Sequence, residues 1–378
     1  MEWNEQTRKK FVNYGLQYIT RRFIIYFSIV FGRNFISKPM QIDLNITERC
    51  NLRCKMCPLW LERTRRKELT DEEILKIVED MASWGVKKLI LSGGEPLLRK
   101  RLVSVVALLC QQRNIDLDVI TNGTLLDLET AKQLVSANLS RITVSIDGIE
   151  TTHDSIKQTR HSFKKALQGI DNILKAREEL KKQTSIHINT VMMHDNLDEL
   201  MELVKLAENR HAIIWFQALH IYDAERKIHT DDRNPLWIQK KELYKLDDTL
   251  DSLIYLKKRK AGIIGNPTLQ LKKMKQYYRN PDQFRFSNCI TGFNSMYITG
   301  CGDVLPCWFW KEVGNVRNTN LKDIWRSKNY QVARMKMQNC TLPCLLNCHY
   351  VPGPIGNLVY DLIYLPVYRR LTDTMKKS

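Results

Sequence analysis

The sequence lacks any apolar run long enough to cross a bilayer. Its longest run, residues 23–31, has nine residues, less than half of the ~20 that a transmembrane helix needs. The charged N-terminus has no small-residue cleavage site after this run, so no secretory signal is visible. The ten cysteines are therefore expected to be reduced thiols, available to metal, in a cytoplasmic protein.

Acidic residues are scarce, with 41 Asp and Glu against 59 Lys and Arg and a formal net charge of +18. Residues 252–281 contain eight Lys or Arg and no acid, and the first 40 residues contain seven against two Glu. Such an excess attracts a phosphorylated substrate, nucleic acid or a membrane surface, although solvated helix faces also account for it. Since no RNA-binding module accompanies the basic segments, we do not expect nucleic acid as a partner.

Both ends of the chain are apolar and basic. Arg21, Arg22 and Arg33 flank residues 23–31, and residues 358–371 repeat the pattern. An interfacial helix at the inner face of a membrane would fit this pattern. Packing of both ends on the protein body or on a partner subunit would fit it equally.

Six short apolar runs alternate with amphipathic helical patterns from residue 41 to about residue 220. This alternation predicts a parallel sheet with right-handed crossovers. Six units are too few for a closed eight-stranded barrel. The runs are residues 42–46, 88–91, 117–121, 142–146, 186–192 and 213–219.

Helix-boundary signals mark two of the intervening stretches. Thr70 and Glu73 form a capping box, and Gly85 supplies the stop. Asn196 with Glu199 repeats the start signal, which predicts that a helix begins directly after Asn196.

One loop carries three cysteines, Cys50, Cys54 and Cys57, in the spacing CxxxCxxC. A structural zinc site is closed by four ligands, and iron–sulfur clusters also usually take four cysteines. Three thiolates in one loop favour a cubane cluster with one iron left open. A zinc knuckle or redox thiols are the alternatives.

Polar residues follow the predicted strands at their carboxyl ends, where functional groups of such folds gather on one rim. Glycines at this edge let a ligand approach the backbone closely, and Glu95 can accept a hydrogen bond from an ammonium group. Capping of local turns would also explain several of the polar residues. The candidates are Gly93, Gly94, Glu95, Pro96, Asn122, Ser145, Asp147 and Asn189.

The CxxxCxxC loop and the Gly93-Gly94-Glu95-Pro96 motif together make the chain resemble the radical S-adenosylmethionine (radical SAM) enzymes. The resemblance implies an α/β fold, a partial (β/α)6 TIM-like barrel, with a [4Fe–4S] cluster whose open iron is chelated by SAM. The glycine motif would hold the SAM amino group, and the ribose would lie near Ser145 and Asp147. A reduced cluster, supplied by a flavodoxin- or ferredoxin-type donor, would cleave SAM to a 5′-deoxyadenosyl radical that abstracts hydrogen.

A second cysteine-rich region lies near the C-terminus. It resembles the SPASM and twitch extensions of radical SAM enzymes, small α+β domains that hold auxiliary [4Fe–4S] clusters. The turn residues Gly300 and Gly302 predict a β-hairpin. Its cysteines are Cys289, Cys301, Cys307, Cys340, Cys344 and Cys348.

The ending CxxxCxxxC departs from the full SPASM ending CxxC-x5-CxxxC, so we expect one auxiliary cluster rather than two. Its ligands would be Cys289, Cys307 and Cys340, with Cys344 or Cys348 as the fourth. A zinc site on the same residues is the alternative. Cys301 lies in the hairpin turn and Cys110 in an apolar run, which predicts a core position for Cys110.

Five segments are expected: an N-terminal helix (residues 1–40), the barrel (41–222), a basic helical bridge (223–285), the auxiliary domain (286–350) and a tail (351–378). Gln217 and His220, at the end of the sixth strand, are candidates to face substrate. For His220 we favour a structural role.

The resemblance leaves the substrate open. We expect hydrogen abstraction from an anionic or lipid-linked small molecule or sugar, because the charge is basic and the ends are apolar. A peptide or protein maturase is the alternative, although residues 1–40 do not resemble a peptide-recognition module. A non-catalytic iron–sulfur or zinc scaffold at a membrane is the alternative of another class.

Overall fold

The computed structural model describes residues 20–21, 23–28, 31, 35–57, 59, 66–222, 228–229, 234–260, 262–284 and 289–346. The tail and Cys348, a candidate ligand, lie outside these residues. The strands are β1 (Gln41–Asn45), β2 (Lys88–Ser92), β3 (Asp116–Thr121), β4 (Arg141–Ser145), β5 (Ser185–Met192), β6 (Ile213–Ala218), β7 (Ile221–Tyr222), β8 (Ile228–His229), β9 (Ser295–Ile298), β10 (Asp303–Leu305) and β11 (Gly314–Asn315).

Helices connect most of the strands. Residues 20–21 and 23–28 form a further helical segment at the N-terminal end of the described chain. The others are α1 (Asp71–Trp84), α2 (Lys100–Gln112), α3 (Leu128–Ser136), α4 (Glu150–Lys157), α5 (Ser162–Leu180), α6 (Leu200–Asn209), α7 (Leu243–Arg259), α8 (Thr268–Arg279), α9 (Thr291–Asn294), α10 (Leu321–Arg326) and α11 (Lys328–Met337).

Strands β1 to β6 pair side by side in chain order, and every neighbouring pair is parallel. Each of these strands begins and ends within one residue of the corresponding run in the sequence. The α/β prediction and the six-unit parallel sheet are thereby confirmed. All six carboxyl ends meet at one edge of the sheet.

The two faces of this sheet differ in polarity, because successive side chains of a strand point to opposite faces. On one face Leu44, Leu91 and Val119 are fully buried against the helices. On the other, the register aligns Asp43, Ile90, Asp118, Arg141 and Ser185 across five strands. The polar face continues to the carboxyl edge, where it lines a cleft.

The predicted boundaries of α1 are confirmed. The Thr70 hydroxyl accepts from the Glu73 amide and the Glu73 carboxylate accepts from the Thr70 amide, which completes the capping box. Gly85 ends the helix in the left-handed region, with φ of 78°, a conformation that glycine adopts without strain.

Asn196 does not mark the start of the helix, because it lies inside a 3₁₀ helix, His194–Glu199, that leads into α6 at Leu200. Asn196 instead donates from Nδ2 to the carbonyl oxygens of Asp147 and Val191, over 2.7 and 2.8 Å. Glu199 accepts from the amide of Ile149 over 2.7 Å. Their side chains join the ends of β4 and β5 and are not free to cap the helix.

The C-terminal hairpin extends the barrel sheet. Strand β9 pairs in parallel with β1, and β10 returns antiparallel to β9, so the sheet runs β11-β10-β9-β1-β2-β3-β4-β5-β6. Gly302 has a positive φ of 89° in the hairpin turn, as the turn prediction requires. The sequence predicts this hairpin but not its attachment beside the strand that leads into the cysteine loop.

Two helices, α7 and α8, make up much of the described region between β6 and β9, which also contains the short antiparallel pair of β7 and β8. The segment expected to be a helical bridge, residues 223–285, therefore also includes strand β8. Helices α7 and α8 pack on each other, and Ile264 forms a parallel bridge with Ile214 of β6. No helix among the described residues is both long and apolar enough to span a bilayer.

Candidate active site

A cleft of about 380 Å³ opens at the carboxyl edge of the sheet. The loop after β1 supplies the three cysteines of its wall. The ends of β2 to β6 supply the opposite polar residues. Of the predicted site residues, Cys50, Cys54, Cys57, Gly93, Gly94, Asn122, Ser145, Asp147 and Asn189 line the cleft, together with Gln217 and His220.

Gly93 and Gly94 press against the backbone of the cysteine loop. A Cβ atom on Gly93 would lie 2.3 Å from the carbonyl oxygen of Thr47, and one on Gly94 would lie 2.2 Å from that of Arg49. The amides of Gly94 and Glu95 donate to these same two carbonyls over 2.8 Å. Both positions must therefore be glycine for the cysteine loop to pack against the end of β2, whether or not a ligand also approaches them.

The Glu95 side chain is hydrogen-bonded within the protein. The side chain is fully buried and does not line the cleft. Its Oε1 accepts from the Thr121 hydroxyl over 2.7 Å and the Leu97 amide over 2.9 Å, and its Oε2 accepts from the Asn122 amide over 2.7 Å. The carboxylate holds the ends of β2 and β3 together, and its contact with an ammonium group stays a prediction.

Pro96 also lies behind the cleft. It is buried at the first position of a short 3₁₀ helix, residues Pro96–Arg99, where its missing N–H costs nothing. The structure thus gives Pro96 a backbone role and places no part of it on the cleft wall.

Asp147 lines the cleft as predicted, but its carboxylate already accepts hydrogen bonds from within the protein. Its Oδ2 accepts from the Lys157 ammonium over 2.6 Å, and its Oδ1 accepts from the Val191 amide over 2.7 Å. Lys157 is itself part of the cleft wall, and sequence reasoning missed it. The sequence feature that could have pointed to Lys157 is His153, which lies one helical turn earlier on the same buried face of α4.

Asn122 contacts the cysteine loop directly. Its Nδ2 donates to Asn51 Oδ1 over 2.9 Å and lies 4.0 Å from Cys50 Sγ. Its Oδ1 accepts from the amide of Thr124 over 2.9 Å. The side chain therefore links the end of β3 to the first cysteine.

Ser145, Asn189 and Gln217 are different, because they present open hydrogen-bonding groups. All three line the cleft on the polar face, where Ser145 is in register with Asn189. Within the described part of the chain, none of the three side chains makes a hydrogen bond. They are the polar groups best placed to bind a ligand.

His220 is a buried histidine with a structural partner, in agreement with the role we favour. Its Nε2 accepts from the Leu345 amide over 2.9 Å, and its ring lies 5.5 Å from Tyr277 and 6.1 Å from Phe309. This bond ties the end of β6 to the segment that follows Cys344.

One wall of the cleft is aromatic and apolar. Tyr297, Trp308 and Phe309 line it with Met56 and Leu346. Tyr297 belongs to β9, Trp308 and Phe309 to the segment after β10, Met56 to the cysteine loop, and Leu346 to the end of the described chain. Sequence reasoning missed them, because nothing local distinguishes them from core aromatics.

The cysteine thiols of the loop are partly buried, and this burial raises their pKa values, that of Cys57 to about 11. A buried thiolate therefore needs positive charge nearby, and bound iron supplies it. No three Cys, His, Asp or Glu side chains of the described chain are grouped to hold one metal ion, whereas an iron–sulfur cluster takes its cysteines on separate irons. The donor set fits such a cluster.

A second group of cysteines surrounds Cys307. Burial raises the pKa of Cys307 well above its ordinary value, and the charges of Cys344, Cys289 and Cys340 raise it further. Cys289 and Cys344 pack against the small cluster that Cys307 forms with Phe309 and Met337. Cys301 is buried elsewhere, with Sγ 3.9 Å from the Arg66 carbonyl oxygen. Cys110 is in the main core, as predicted.

The hairpin turn and the cysteine loop are joined by a carboxylate. Glu48 Oε1 accepts from the Gly300 amide over 2.5 Å. The Glu48 amide in turn donates to Glu68 Oε1 over 2.8 Å, and the Leu69 amide donates to the Gly300 carbonyl over 2.7 Å. The auxiliary hairpin thus supports the loop that carries the first cysteines.

Family comparisons agree with this geometry. Residues 44–207 match the radical SAM superfamily. Residues 289–358 match SPASM, described as an iron–sulfur cluster-binding domain.

Several enzymes of known activity are similar in sequence. The chain is 30% identical over 305 residues to the Fe-coproporphyrin III synthase of Methanosarcina barkeri, covering 74% of this chain and 72% of the relative. It is 27% identical over 296 residues to the AdoMet-dependent heme synthase of that organism, covering 76% and 82%. It is also 27% identical over 325 residues to the GTP 3′,8-cyclase of Aquifex aeolicus, covering 80% and 94%.

Solved structures share the fold. SuiB of Streptococcus suis superposes with a TM-score of 0.59 at 18% identity, covering 79% of this chain and 68% of SuiB. Polyhistidine-tagged anSMEcpe with bound AdoMet superposes with a TM-score of 0.58 at 16% identity, covering 89% and 100%. The chain therefore belongs to the radical SAM superfamily, as an enzyme that binds SAM and [4Fe–4S] clusters and carries a C-terminal SPASM domain.

Proposed function

We propose that this enzyme cleaves SAM reductively and abstracts hydrogen from an anionic small molecule held in the cleft. The observation that carries the proposal is the arrangement of the cleft. Cys50, Cys54 and Cys57 form one wall, and the open side chains of Ser145, Asn189 and Gln217 form another.

The residues of the cleft have separable tasks in this proposal. When bound, the cluster and SAM supply a 5′-deoxyadenosyl radical. Ser145 and Asn189 donate and accept hydrogen bonds that orient SAM, and the backbone around Gly93 and Gly94 contacts its amino group. The buried ion pair of Asp147 and Lys157 keeps this wall rigid and excludes water.

The substrate is proposed from the aromatic wall. Tyr297, Trp308 and Phe309 offer large apolar surfaces on which a planar ring or an apolar chain packs. The relatives are named for heme, Fe-coproporphyrin III and GTP, which are anionic molecules with planar rings. The basic net charge of +18 favours an anion of this kind, as long-range steering requires.

We also propose that Cys289, Cys307, Cys340 and Cys344 hold one auxiliary [4Fe–4S] cluster, in a domain over residues 286–350. The packing of Cys289 and Cys344 against the cluster that contains Cys307 supports this set, together with the electrostatic effect of Cys340 on Cys307. The remaining proposed segments are residues 1–40, 41–222, 223–285 and 351–378.

The proposed partners follow from the chemistry and the charge. A flavodoxin- or ferredoxin-type protein would reduce the clusters. We propose the cytoplasm as the compartment, since all nine described cysteines are free thiols, with contact at the inner face of the membrane.

Anaerobic reconstitution with iron and sulfide tests the proposed chemistry. We expect about eight irons in the parent and about four in the Cys50/Cys54/Cys57→Ala variant, at four irons per cluster. The reduced parent with SAM should form 5′-deoxyadenosine, and the variant should form none. Absence of 5′-deoxyadenosine from the fully loaded parent would contradict the proposal, and turnover of a peptide but not of anionic ring compounds would overturn the substrate class.

A further inference from the structure

An aromatic band lies on the outer face of the N-terminal helical segment and continues into the residues that follow it. Phe23, Tyr26, Phe27, Phe31 and Phe35 are each between 49 and 63% exposed. The rings of Phe27 and Phe31 stack 6.0 Å apart, and those of Tyr26 and Phe27 lie 6.1 Å apart. Tyr26, Phe27 and Phe31 therefore form the continuous centre of the band.

The opposite face of the same segment is already buried. Ile25 and Ser28 are almost fully buried against the protein body, and the Phe35 amide donates to Ser28 Oγ over 3.0 Å. A helix that is apolar on all sides is normally covered on all sides. The described structure covers only one side of this one.

Arg21 fixes the orientation of the segment. Its Nη2 donates to the carbonyl oxygens of Lys38 and Phe293 over 2.7 and 3.1 Å, and its Nε donates to Asn294 Oδ1 over 3.4 Å. The helix is held to the region around β9, and its aromatic face points away from the body. The hydrogen bonds of Arg21 thus hold the segment in the orientation that leaves the aromatic band exposed.

We propose that the aromatic band docks the enzyme on an anionic lipid bilayer, with the five rings at the headgroup boundary. This inference rests on the membrane contact proposed above and names its surface and lipid class. Aromatic rings favour the membrane–water interface. The neighbouring sequence is basic: besides Arg21 and Lys38, which bond to the protein body, the first 40 residues contain five Lys and Arg against two Glu, an excess that complements anionic headgroups.

A second copy of the chain is a poorer occupant. Five aromatic side chains at about half exposure offer on the order of 500 Å², whereas a stable dimer buries about 800 Å² on each partner. Two copies would also bring like charges together, since each carries +18. A lipid surface has neither limitation.

Flotation of the full-length, cluster-loaded protein tests the docking surface. The vesicles are phosphatidylcholine alone or phosphatidylcholine with phosphatidylglycerol at about one anionic lipid in three, at low and high salt. We expect binding to the anionic vesicles, weakened by salt, and at least about ten-fold weaker binding by Phe23→Ser/Phe27→Ser/Phe31→Ser. A matched control, Val105→Ser/Leu108→Ser, removes two exposed apolar side chains from α2 and should bind as the parent does.

Two further readouts separate this surface from the catalytic proposal and from the other occupants. The triple variant should still form 5′-deoxyadenosine from SAM in solution. A variant that loses this activity has a damaged cleft or fold, and circular dichroism shows whether it is folded. No binding of the parent, equal binding by the triple variant, or equal binding to neutral vesicles would overturn the proposal. A parent dimer that the triple substitution converts to a monomer, seen by light scattering, would assign the band to a second copy and equally overturn it.

Discussion

The Lys157 ammonium lies 2.6 Å from Asp147 Oδ2, and the two side chains are only 4 and 2% exposed. Lys157 ends α4, and Asp147 follows β4 and also accepts from the Val191 amide of β5. Burial lowers the pKa of Lys157, but the charges of Asp147 and Cys54 outweigh it and raise the pKa above the ordinary value. Lys157 therefore remains charged within the cleft wall.

Removing one partner of this pair should destabilise the protein strongly. Asp147→Asn or Lys157→Met should each lower the free energy of unfolding by about 3–5 kcal/mol, because each leaves a buried charge uncompensated. The double variant should recover more than half of that loss. Urea unfolding of the anaerobic protein measures this.

The exposed ion pair of Lys55 with Asp195, at 3.0 Å, provides the control. Asp195→Asn should cost less than about 1 kcal/mol, because solvent screens this pair. If the losses of Asp147→Asn and Lys157→Met simply added in the double variant, the two residues would not act as a buried pair.

Substitution should have opposite effects at two kinds of polar residue: those whose side chains make no hydrogen bond within the described protein, such as Asn189, and those that are hydrogen-bonded within it, such as Glu95. Asn189→Ala should weaken SAM binding about five- to ten-fold, the value of one hydrogen bond of about 1 kcal/mol, and leave the unfolding midpoint almost unchanged. Glu95→Ala should lower the free energy of unfolding by about 2–4 kcal/mol, because the Thr121 hydroxyl, the buried Leu97 amide and the part-buried Asn122 amide lose their acceptor. Anaerobic calorimetry and thermal unfolding separate the two effects. A large stability loss in Asn189→Ala would contradict this division.

The Glu95 result illustrates what sequence can and cannot predict. The spacing of the motif locates the rim correctly, since apolar runs and turn residues are local signals. Which atoms face the cleft depends on long-range packing: the Glu95 carboxylate turns inward because Thr121 and Asn122, on the next strand, donate to it. The polar inner face is likewise hidden in the sequence, because its side chains are interspersed in runs that are mainly apolar.

Contacts between distant parts of the chain lie beyond sequence reasoning. The Glu48–Gly300 bond joins residues 252 positions apart, and the His220–Leu345 bond joins residues 125 apart. No local pattern encodes either pairing. The hairpin itself is predictable from its glycines, but its partner strand is not.

The Glu48–Gly300 contact predicts coupling between the hairpin and the first cysteine loop. Glu48→Ala removes the acceptor of the Gly300 amide and should lower SAM affinity several-fold, because the loop then loses its support from the hairpin. The auxiliary cluster should be retained, so total iron should stay near about eight per chain. Electron paramagnetic resonance of the reduced protein, with and without SAM, reports the first cluster. Glu79→Gln, at an exposed pair with Arg113, should change neither quantity.

Asp43 predicts a pH dependence of stability. Burial, only partly offset by the hydrogen bond from Gln41, raises the pKa of Asp43 from 3.8 to about 7. Between about pH 4 and pH 7 the folded state thus binds more protons than the unfolded state, and stability falls as pH rises. Asp43→Asn should therefore be more stable than the parent by about 1–3 kcal/mol at about pH 8 and near parity at about pH 4.5.

Asp118, on the same face, is the control for Asp43. It pairs with Arg141 and lies 3.2 Å from the Lys88 ammonium, so Asp118→Asn should destabilise the protein at about pH 8. Chemical unfolding across this pH range measures both variants. A stability gain of Asp43→Asn that does not vary with pH would show that ionisation of Asp43 is not its cause.

The fourth ligand of the auxiliary cluster can be decided by single cysteine substitutions. Cys344 is proposed because it packs against the cluster that contains Cys307 and because its neighbour Leu345 is held by His220. Cys344→Ala should therefore reduce the iron content from about eight to about four per chain, while SAM cleavage to 5′-deoxyadenosine persists at the first cluster. Cys301→Ser should keep about eight irons, because its sulfur lies beside the Arg66 carbonyl. Loss of about four irons in Cys348→Ala but not in Cys344→Ala would move the ligand to Cys348.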